Sequence, residues 1–249
     1  MKSLLHINTW HCLFEQSGTF KKEFQKLGFR SFDYDVLNKF GETDYIGDLF
    51  NEIDAYFEGK NNIFKNIKED EAIMAFFPCI RFSKLSILHM QGNAKNYKGK
   101  DLSFKIKNFM RLQEELNRYA LLFSKLVLIC MERDIPLVIE NPYGADHYLT
   151  RYFPMLPNII DMNRREMGDW YKKPTQYFFV NCEPYDNQWE VEIEAVDEKA
   201  VNNQTRINKS MIHPQYARNF IKRYLMDNSR IKSWYDVTKL KEIYQEDDE

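Results

Sequence analysis

Two reactive side chains stand at the ends of apolar runs in the sequence. Cys79 comes just after the run Glu71–Phe77, and Glu140 closes the run Pro136–Glu140. A thiolate at a strand end, close to a cation, is suited to nucleophilic attack. A carboxyl group that closes an apolar strand is costly to bury unless it is paired or used to donate a proton. Each residue alone is more often structural, because lone cysteines are commonly buried and most carboxylates face water.

Three further polar segments also follow predicted strands. The turn Ser17–Thr19 opens a helix, and backbone amides at a helix start suit a polar or anionic ligand group. Asp35 ends the next strand, where a carboxylate can accept hydrogen bonds from ribose hydroxyls, and Asp48 could do the same for an adenine amine. Since an isolated acid is more often a turn former or a cap, only the whole set indicates a ligand site.

A basic stretch follows Cys79 directly. From Arg81 to Arg118 the chain has nine Lys or Arg residues and three acids, although its net charge is only -2. A polyanionic substrate would need such a local excess, but a solvated helix face is about as common an explanation. The candidate contacts to nucleic acid are Lys84, Lys95, Lys98, Lys100 and Lys105.

The composition is that of an ordinary globular chain. Of the 249 residues, 44% are hydrophobic and 29% are charged, which excludes a wholly disordered chain and a coiled coil. The apolar stretches fall short of the roughly 20 residues that cross a bilayer, and the N-terminus has no continuous apolar region typical of a signal peptide. The four cysteines form no CxxC pair, so we expect no metal site and a cytoplasmic location.

The order of the elements predicts an α/β fold with a doubly wound sheet. The predicted elements are strands at 29–36, 71–77 and 136–140, and helices at 20–27, within 44–57 and at 104–133. Ligands on such sheets bind at the carboxyl ends of the strands, which is where the candidate residues lie. Residues 84–103 are polar and contain glycine, so we expect a loop there.

The later part of the chain has a different pattern. Segments 177–181 and 190–196 are predicted strands, and seven acids with no basic residue lie from 183 to 198. We therefore predict a small antiparallel insertion with an acidic face. The resulting domain prediction is an insertion at 166–204 and a main domain at 1–165 and 205–249, with helices after Pro214 and at 234–245.

Taken in order, these residues resemble the cytosine-5 DNA methyltransferases, especially the small phage-type members. The segment 14–20 is similar to the family's FxGxGxF cofactor loop, and the resemblance implies a Rossmann-like sheet that binds S-adenosylmethionine. Asp35 then corresponds to the acid at the ribose and Asp48 to the acid near the adenine amine. The cofactor-binding residues that the resemblance implies are Phe14, Ser17, Gly18, Thr19, Phe20, Asp35, Asp48 and Pro78.

The catalytic motifs of the family have counterparts as well. Phe77-Pro78-Cys79 resembles the Pro-Pro-Cys loop, and Glu140-Asn141-Pro142 resembles the ENV or ENP motif. The resemblance implies that the Cys79 thiolate adds to carbon 6 of a cytosine flipped out of DNA, while Glu140 and the next residue hold the base. The implied catalytic residues are Cys79, Glu140, Asn141, Arg81 and Arg165.

Several positions depart from the family pattern. Gln16 replaces the first loop glycine, and no QxRxR motif is present, so Arg81, Arg164 or Arg165 would have to supply its guanidinium. Two alternatives to a DNA methyltransferase therefore stay open. One is a degenerate fold that binds nucleic acid or a partner without catalysis. The other is the same cysteine chemistry on another pyrimidine or with a modified cofactor, which the short acidic insertion favours.

Overall fold

A computed structural model describes residues 3–144, 149–188 and 211–231. Its strands are β1 Thr9–Leu13, β2 Arg30–Asp35, β3 Tyr45–Ile46, β4 Ala72–Phe76, β5 Leu137–Pro142, β6 Ile159–Asp161 and β7 Thr175–Val180. Its helices are α1 Thr19–Lys26, α2 Leu49–Phe57, α3 Lys84–Met90, α4 Leu102–Glu132 and α5 Pro214–Phe220, and α5 continues into the π-helical turn Ile221–Leu225. No helix in these ranges combines the length and apolarity needed to span a membrane.

The strands form one mixed sheet in the order β3-β2-β1-β4-β5-β7-β6. The first five strands in this order are parallel, and β7 is antiparallel to both of its neighbours. The α/β class is therefore confirmed, and the order is compatible with a Rossmann-like fold. The chain changes direction across the sheet between β1 and β4, and ligands bind at such a switch point.

Helices pack on both faces of the sheet and thereby fix the edge at which the parallel strands end. On one face Trp10 of β1 stacks on Phe24 of α1, with ring centroids 4.7 Å apart. On the other face the ring of Phe77, just beyond β4, lies 5.2 Å from that of Phe123 in α4. Both strands are buried along nearly their whole length, as parallel strands covered on both sides must be.

Two of the sequence predictions are wrong. Residues 84–103 are not all loop, because they include α3, in which Ser86 is buried while Leu85 and Leu88 are exposed. Because the polar side chain is buried and the apolar side chains are exposed, no apolar stripe in the sequence indicates this helix. The strand predicted at 177–181 does not belong to an insertion, since β7 lies between β5 and β6 in the central sheet. The segments 190–196 and 234–245 lie outside the described residues.

Candidate functional site

A cavity of about 1390 Å³ opens at the carboxyl edge of the sheet. Residues that follow β1, β2, β4 and β5 contribute to its lining, and α3 and the first half of α4 form its outer wall. Because β4 and β5 are neighbours, the chain leaves both strands at the same rim. The predicted site residues that line this cavity are Phe14, Asp35, Asp48, Pro78, Cys79 and Arg81.

Two acids are fixed by nearby backbone amides at the rim. The buried Asp35 accepts a hydrogen bond from the Leu37 amide at 2.7 Å. Burial raises the pKa of Asp35, and hydrogen bonds from the next two amides oppose that rise. Asp48 is exposed and caps α2 by accepting from the Phe50 amide at 2.9 Å. Both carboxylates thus face the cavity from fixed positions, as strand-end ligand residues would.

The turn after β1 brings Gln16 into the cavity. Phe14 has a left-handed backbone with φ of 62°, and its amide donates to the Tyr34 carbonyl at 2.8 Å. Gln16 lines the cavity, and its buried Oε1 has no hydrogen-bond partner among the described residues. A buried acceptor without a partner favours a ligand that brings a donor. In the sequence, Gln16 stands out only as a departure from the loop glycine of the family pattern, and no local signal indicates this role.

The start of α1 is not an open anion site. The Glu15 carboxylate accepts hydrogen bonds from the amides of Phe20 at 2.7 Å and Lys21 at 3.2 Å. These amides are the unpaired donors that every helix start presents, so an internal carboxylate already uses them. Burial, opposed by both amides, raises the pKa of Glu15 to about 7. The predicted residues Ser17, Gly18, Thr19 and Phe20 do not line the cavity.

Cys79 lies at the cavity wall, partly buried. Burial raises the pKa of its thiol, the nearby ammonium of Lys173 lowers it, and Glu140 raises it further. The cation near the thiol is therefore Lys173. Arg81 is engaged elsewhere, because its Nε donates to Glu115 of α4 at 2.7 Å. Burial therefore favours the protonated thiol, whereas the sequence pattern led us to expect a thiolate close to a cation.

Glu140 and Asn141 lie behind the cavity wall. Glu140 is only 7% exposed, and its Oε1 has no hydrogen-bond partner among the described residues. The buried Asn141 donates from Nδ2 to the Phe77 carbonyl at 3.0 Å, which ties the end of β5 to the loop that carries Cys79. Its Oδ1 is also without a partner in the described structure. Two unused acceptors at the end of β5 again indicate a place for a ligand with donors.

Of the three candidate arginines, Arg164 is the one that lies beside Glu140. Its Nη1 is 3.8 Å from Glu140 Oε1, and the residue is 1% exposed. Arg165 is exposed on the same short 3-10 helix, Arg164–Met167, and does not line the cavity. Arg81 lines the cavity but is paired with α4. The sequence could not distinguish Arg164 from Arg165 as the arginine beside Glu140. Which of two adjacent side chains is buried depends on how the turn folds.

The predicted basic contacts surround the outer wall. Lys95, Lys98 and Lys100 are exposed, and Lys105 is half-buried beside Gly92. The ammonium of Lys100 lies 5.3 Å from the ring of Phe104, which itself lines the cavity. For Lys84 only the backbone is described. Ammonium groups interleaved with aromatic rings are typical of surfaces that bind nucleic acid.

A scan against protein-family models matches no family. A search of curated proteins finds no similar sequence.

Proposed function

We propose that this protein transfers a methyl group from S-adenosylmethionine to carbon 5 of cytosine in DNA. The observation that carries the proposal is one cavity, at the switch point of a Rossmann-like sheet, that combines the Cys79 thiol with Asp35 and Asp48. Glu140, on the neighbouring strand, is close enough to influence the pKa of that thiol. A nucleophile, an acid behind it and two ligand-binding carboxylates are the parts that this reaction needs.

We infer that S-adenosylmethionine binds in the part of the cavity that Gln16, Asp35 and Asp48 line. Asp35 at the end of β2 is suited to the ribose hydroxyls, and Asp48 to the adenine amine. The unpaired Oε1 of Gln16 is an acceptor for the ammonium group of the methionine part. When bound, the cofactor would supply a methyl group bonded to a positively charged sulfur, which is an electrophile.

The chemistry of the base falls to Cys79 and Glu140. The Cys79 thiol gives its proton to water as its sulfur forms a bond to carbon 6 of cytosine, and the electrons of the 5,6 double bond spread over carbon 5 and the ring nitrogen at position 3. Glu140, in its protonated form, accepts a hydrogen bond from the exocyclic amine and gives its proton to the adjacent ring nitrogen as negative charge builds there. After carbon 5 has gained the methyl group, water takes the proton that carbon 5 carries, the 5,6 double bond re-forms and the bond to Cys79 breaks with its electrons on sulfur. The sulfur regains a proton from water, and the ring nitrogen returns its proton to Glu140. The enzyme is thereby restored.

The substrate base has to leave the DNA stack to reach Cys79. Exposed Lys95, Lys98 and Lys100 lie along the outer wall of the cavity, where they can neutralise phosphates on either side of the flipped nucleotide.

Because the free thiol has a raised pKa, we expect the methylation rate to increase with pH between 7 and 9.

The decisive test is a covalent trap. Fluorine at carbon 5 cannot leave as a proton does, so duplexes of random sequence that contain 5-fluorocytosine should form a stable adduct with the enzyme and cofactor on a denaturing gel. Cys79→Ser should form none, while Cys182→Ala, which changes another buried cysteine, should keep the adduct. An adduct formed equally by Cys79→Ser, or none formed by the wild type, would contradict the proposal.

The role of Glu140 has its own measurement. Glu140→Gln keeps a side chain of similar shape but cannot donate the proton, so methyl transfer should slow by roughly 10²–10⁴-fold. Binding of S-adenosylmethionine, measured by calorimetry, should stay as in the wild type. A variant with the full rate of methyl transfer would remove Glu140 from the mechanism.

A degenerate binding module is the second candidate. It is favoured by the Glu15 carboxylate, which occupies the amides at the start of α1, and by the raised pKa of the Cys79 thiol. This candidate predicts salt-dependent binding of DNA, no heat of binding with S-adenosylmethionine and no fluorocytosine adduct. Micromolar binding of the cofactor would instead support the enzyme.

A further inference from the structure

The buried Arg164 lies between two carboxylates that it contacts unequally. It forms a direct ion pair with Asp169, but its Nη1 stays 3.8 Å from Glu140 Oε1. A separation of 3.8 Å is within the range of an ion pair and too long for a hydrogen bond. The Glu140 oxygen is therefore stabilised by positive charge while its hydrogen-bonding capacity is unused.

The local backbone fixes which carboxylate Arg164 takes. The Asp169 amide donates to the Arg164 carbonyl at 3.1 Å, so the short helix closes on itself and brings both side chains together. The turn needs Gly168, whose φ is 91° and where a Cβ would lie 2.5 Å from Gln215 Oε1. The Asp169 Oδ1 also accepts from the Trp170 amide at 2.7 Å. Asp169 is 2% exposed and has little freedom to move.

The aromatic ring of Tyr216 packs against the guanidinium group of Arg164. The Cζ of Arg164 lies 4.6 Å from the ring centroid of Tyr216, a cation–π distance. The Tyr216 hydroxyl donates to Asp161 Oδ2 at 2.9 Å and lies 2.8 Å from the hydroxyl of Tyr177. Burial disfavours the charged form of Arg164, but the Asp169 carboxylate outweighs it and raises the pKa of the guanidinium. The cation is thus permanent and held from two sides.

We propose that Asp169 and Tyr216 are positioning residues that hold Arg164 away from Glu140, which keeps the Glu140 carboxyl group open to the amine and ring nitrogen of the target base. The inference rests on the proposed function, because it names the groups that prepare the base-binding acid of that site. Without Asp169, the buried guanidinium would lack its main partner and would move onto Glu140, since an unpaired buried charge is strongly unfavourable.

The first test compares two variants that each neutralise a buried carboxylate paired with arginine. Asp169→Asn should lower kcat for methyl transfer by about 10–100-fold, the effect of displacing a reacting group by about 1 Å, and should leave the KM for S-adenosylmethionine unchanged. Asp169→Glu should restore part of the rate. The control is Glu23→Gln, which loses a 2.8 Å contact with Arg218 between α1 and α5, away from the cavity.

A second test does not need catalytic activity. Cys79 is the one partly exposed cysteine in the described chain, so iodoacetamide should modify it first. Its pKa depends on burial, on Lys173 and on Glu140. If Arg164 moves onto Glu140 in Asp169→Asn, the pKa of Cys79 should fall and alkylation at pH 8 should be faster than in the wild type, while Glu23→Gln should match the wild type.

The two readouts separate the two proposals. A wild type that never methylates DNA, together with faster alkylation of Asp169→Asn, would refute the proposed function and support the positioning network. An active wild type whose Asp169→Asn variant matches it in kcat and in alkylation would refute the network and keep the function. A slower Asp169→Asn that Asp169→Glu does not rescue, with unchanged alkylation, would indicate a structural role and also overturn the inference.

Discussion

Glu15 is a buried acid whose protonation should be visible in the stability of the whole chain. It is 6% exposed, and burial raises its pKa from the ordinary 4.5 to about 7 against the opposing amides of Phe20 and Lys21. We predict that Glu15→Gln removes a pH dependence that the wild type has. The glutamine amide oxygen can still accept a hydrogen bond at the start of α1, so the variant should fold.

The sign follows from the direction of the pKa change. Because the folded pKa lies above the unfolded value, the folded chain keeps a proton that the unfolded chain has lost between pH 4.5 and 7. Glu15 therefore stabilises the fold most below pH 4.5, and this stabilisation disappears as the pH rises through 7. The gap between 4.5 and about 7 predicts that the wild type loses roughly 2–3 kcal/mol relative to Glu15→Gln between pH 5 and 8.

The assay is urea unfolding of both proteins at pH 5, 6, 7 and 8. Other titrating groups are common to both chains and cancel in the difference. Glu42→Gln is the control, because its hydrogen bond with Lys22 lowers the pKa of Glu42 and the carboxylate stays charged throughout this range. Its difference from the wild type should not change with pH. A difference for Glu15→Gln that is equally constant would refute the burial argument.

Three other predictions concern the cavity. Asp35→Ala should weaken binding of S-adenosylmethionine by about 1–3 kcal/mol, the cost of a lost hydrogen bond to a charged group, and an unchanged affinity in calorimetry would exclude the ribose contact. Neutralising the exposed Lys98 and Lys100 should flatten the slope of log affinity for DNA against log salt by up to about 2, whereas an unchanged slope would leave them as solvated side chains. Lys173→Met should slow alkylation of Cys79 at pH 8, because loss of the ammonium raises the pKa of the thiol; an equal rate would assign the control of this thiol to burial alone.

Local patterns in the sequence determined the main elements and the rim of the site. The apolar runs that became β4 and β5, and the periodicity that became α1 and α4, depend on neighbouring residues and so can be read along the chain. Parallel strands also share a carboxyl edge, which is why Asp35, Asp48 and Cys79 could be grouped before the fold was known. The Asn141 hydrogen bond to the Phe77 carbonyl is consistent with that grouping.

Tertiary structure alone decided what surrounds each of these groups. The strand β7 entered the central sheet because β5 and β6 supplied its backbone partners, and no local pattern encodes a partner far away in the sequence. Arg164 and Arg165 are adjacent in sequence, yet one is buried against Asp169 and the other is exposed. The positive charge that lowers the pKa of Cys79 likewise comes from Lys173, which lies nearly one hundred residues away in the chain.

The start of α1 shows the same division within a single loop. The sequence predicted a helix at 20–27, and the helix α1 extends over Thr19–Lys26. Whether its free amides bind a ligand or an internal group was decided by the fold of the turn, which buries Glu15 beneath them. Secondary structure follows from local conformational preference, whereas the partners and pKa values of polar groups follow from burial, and burial is a property of the packed chain as a whole.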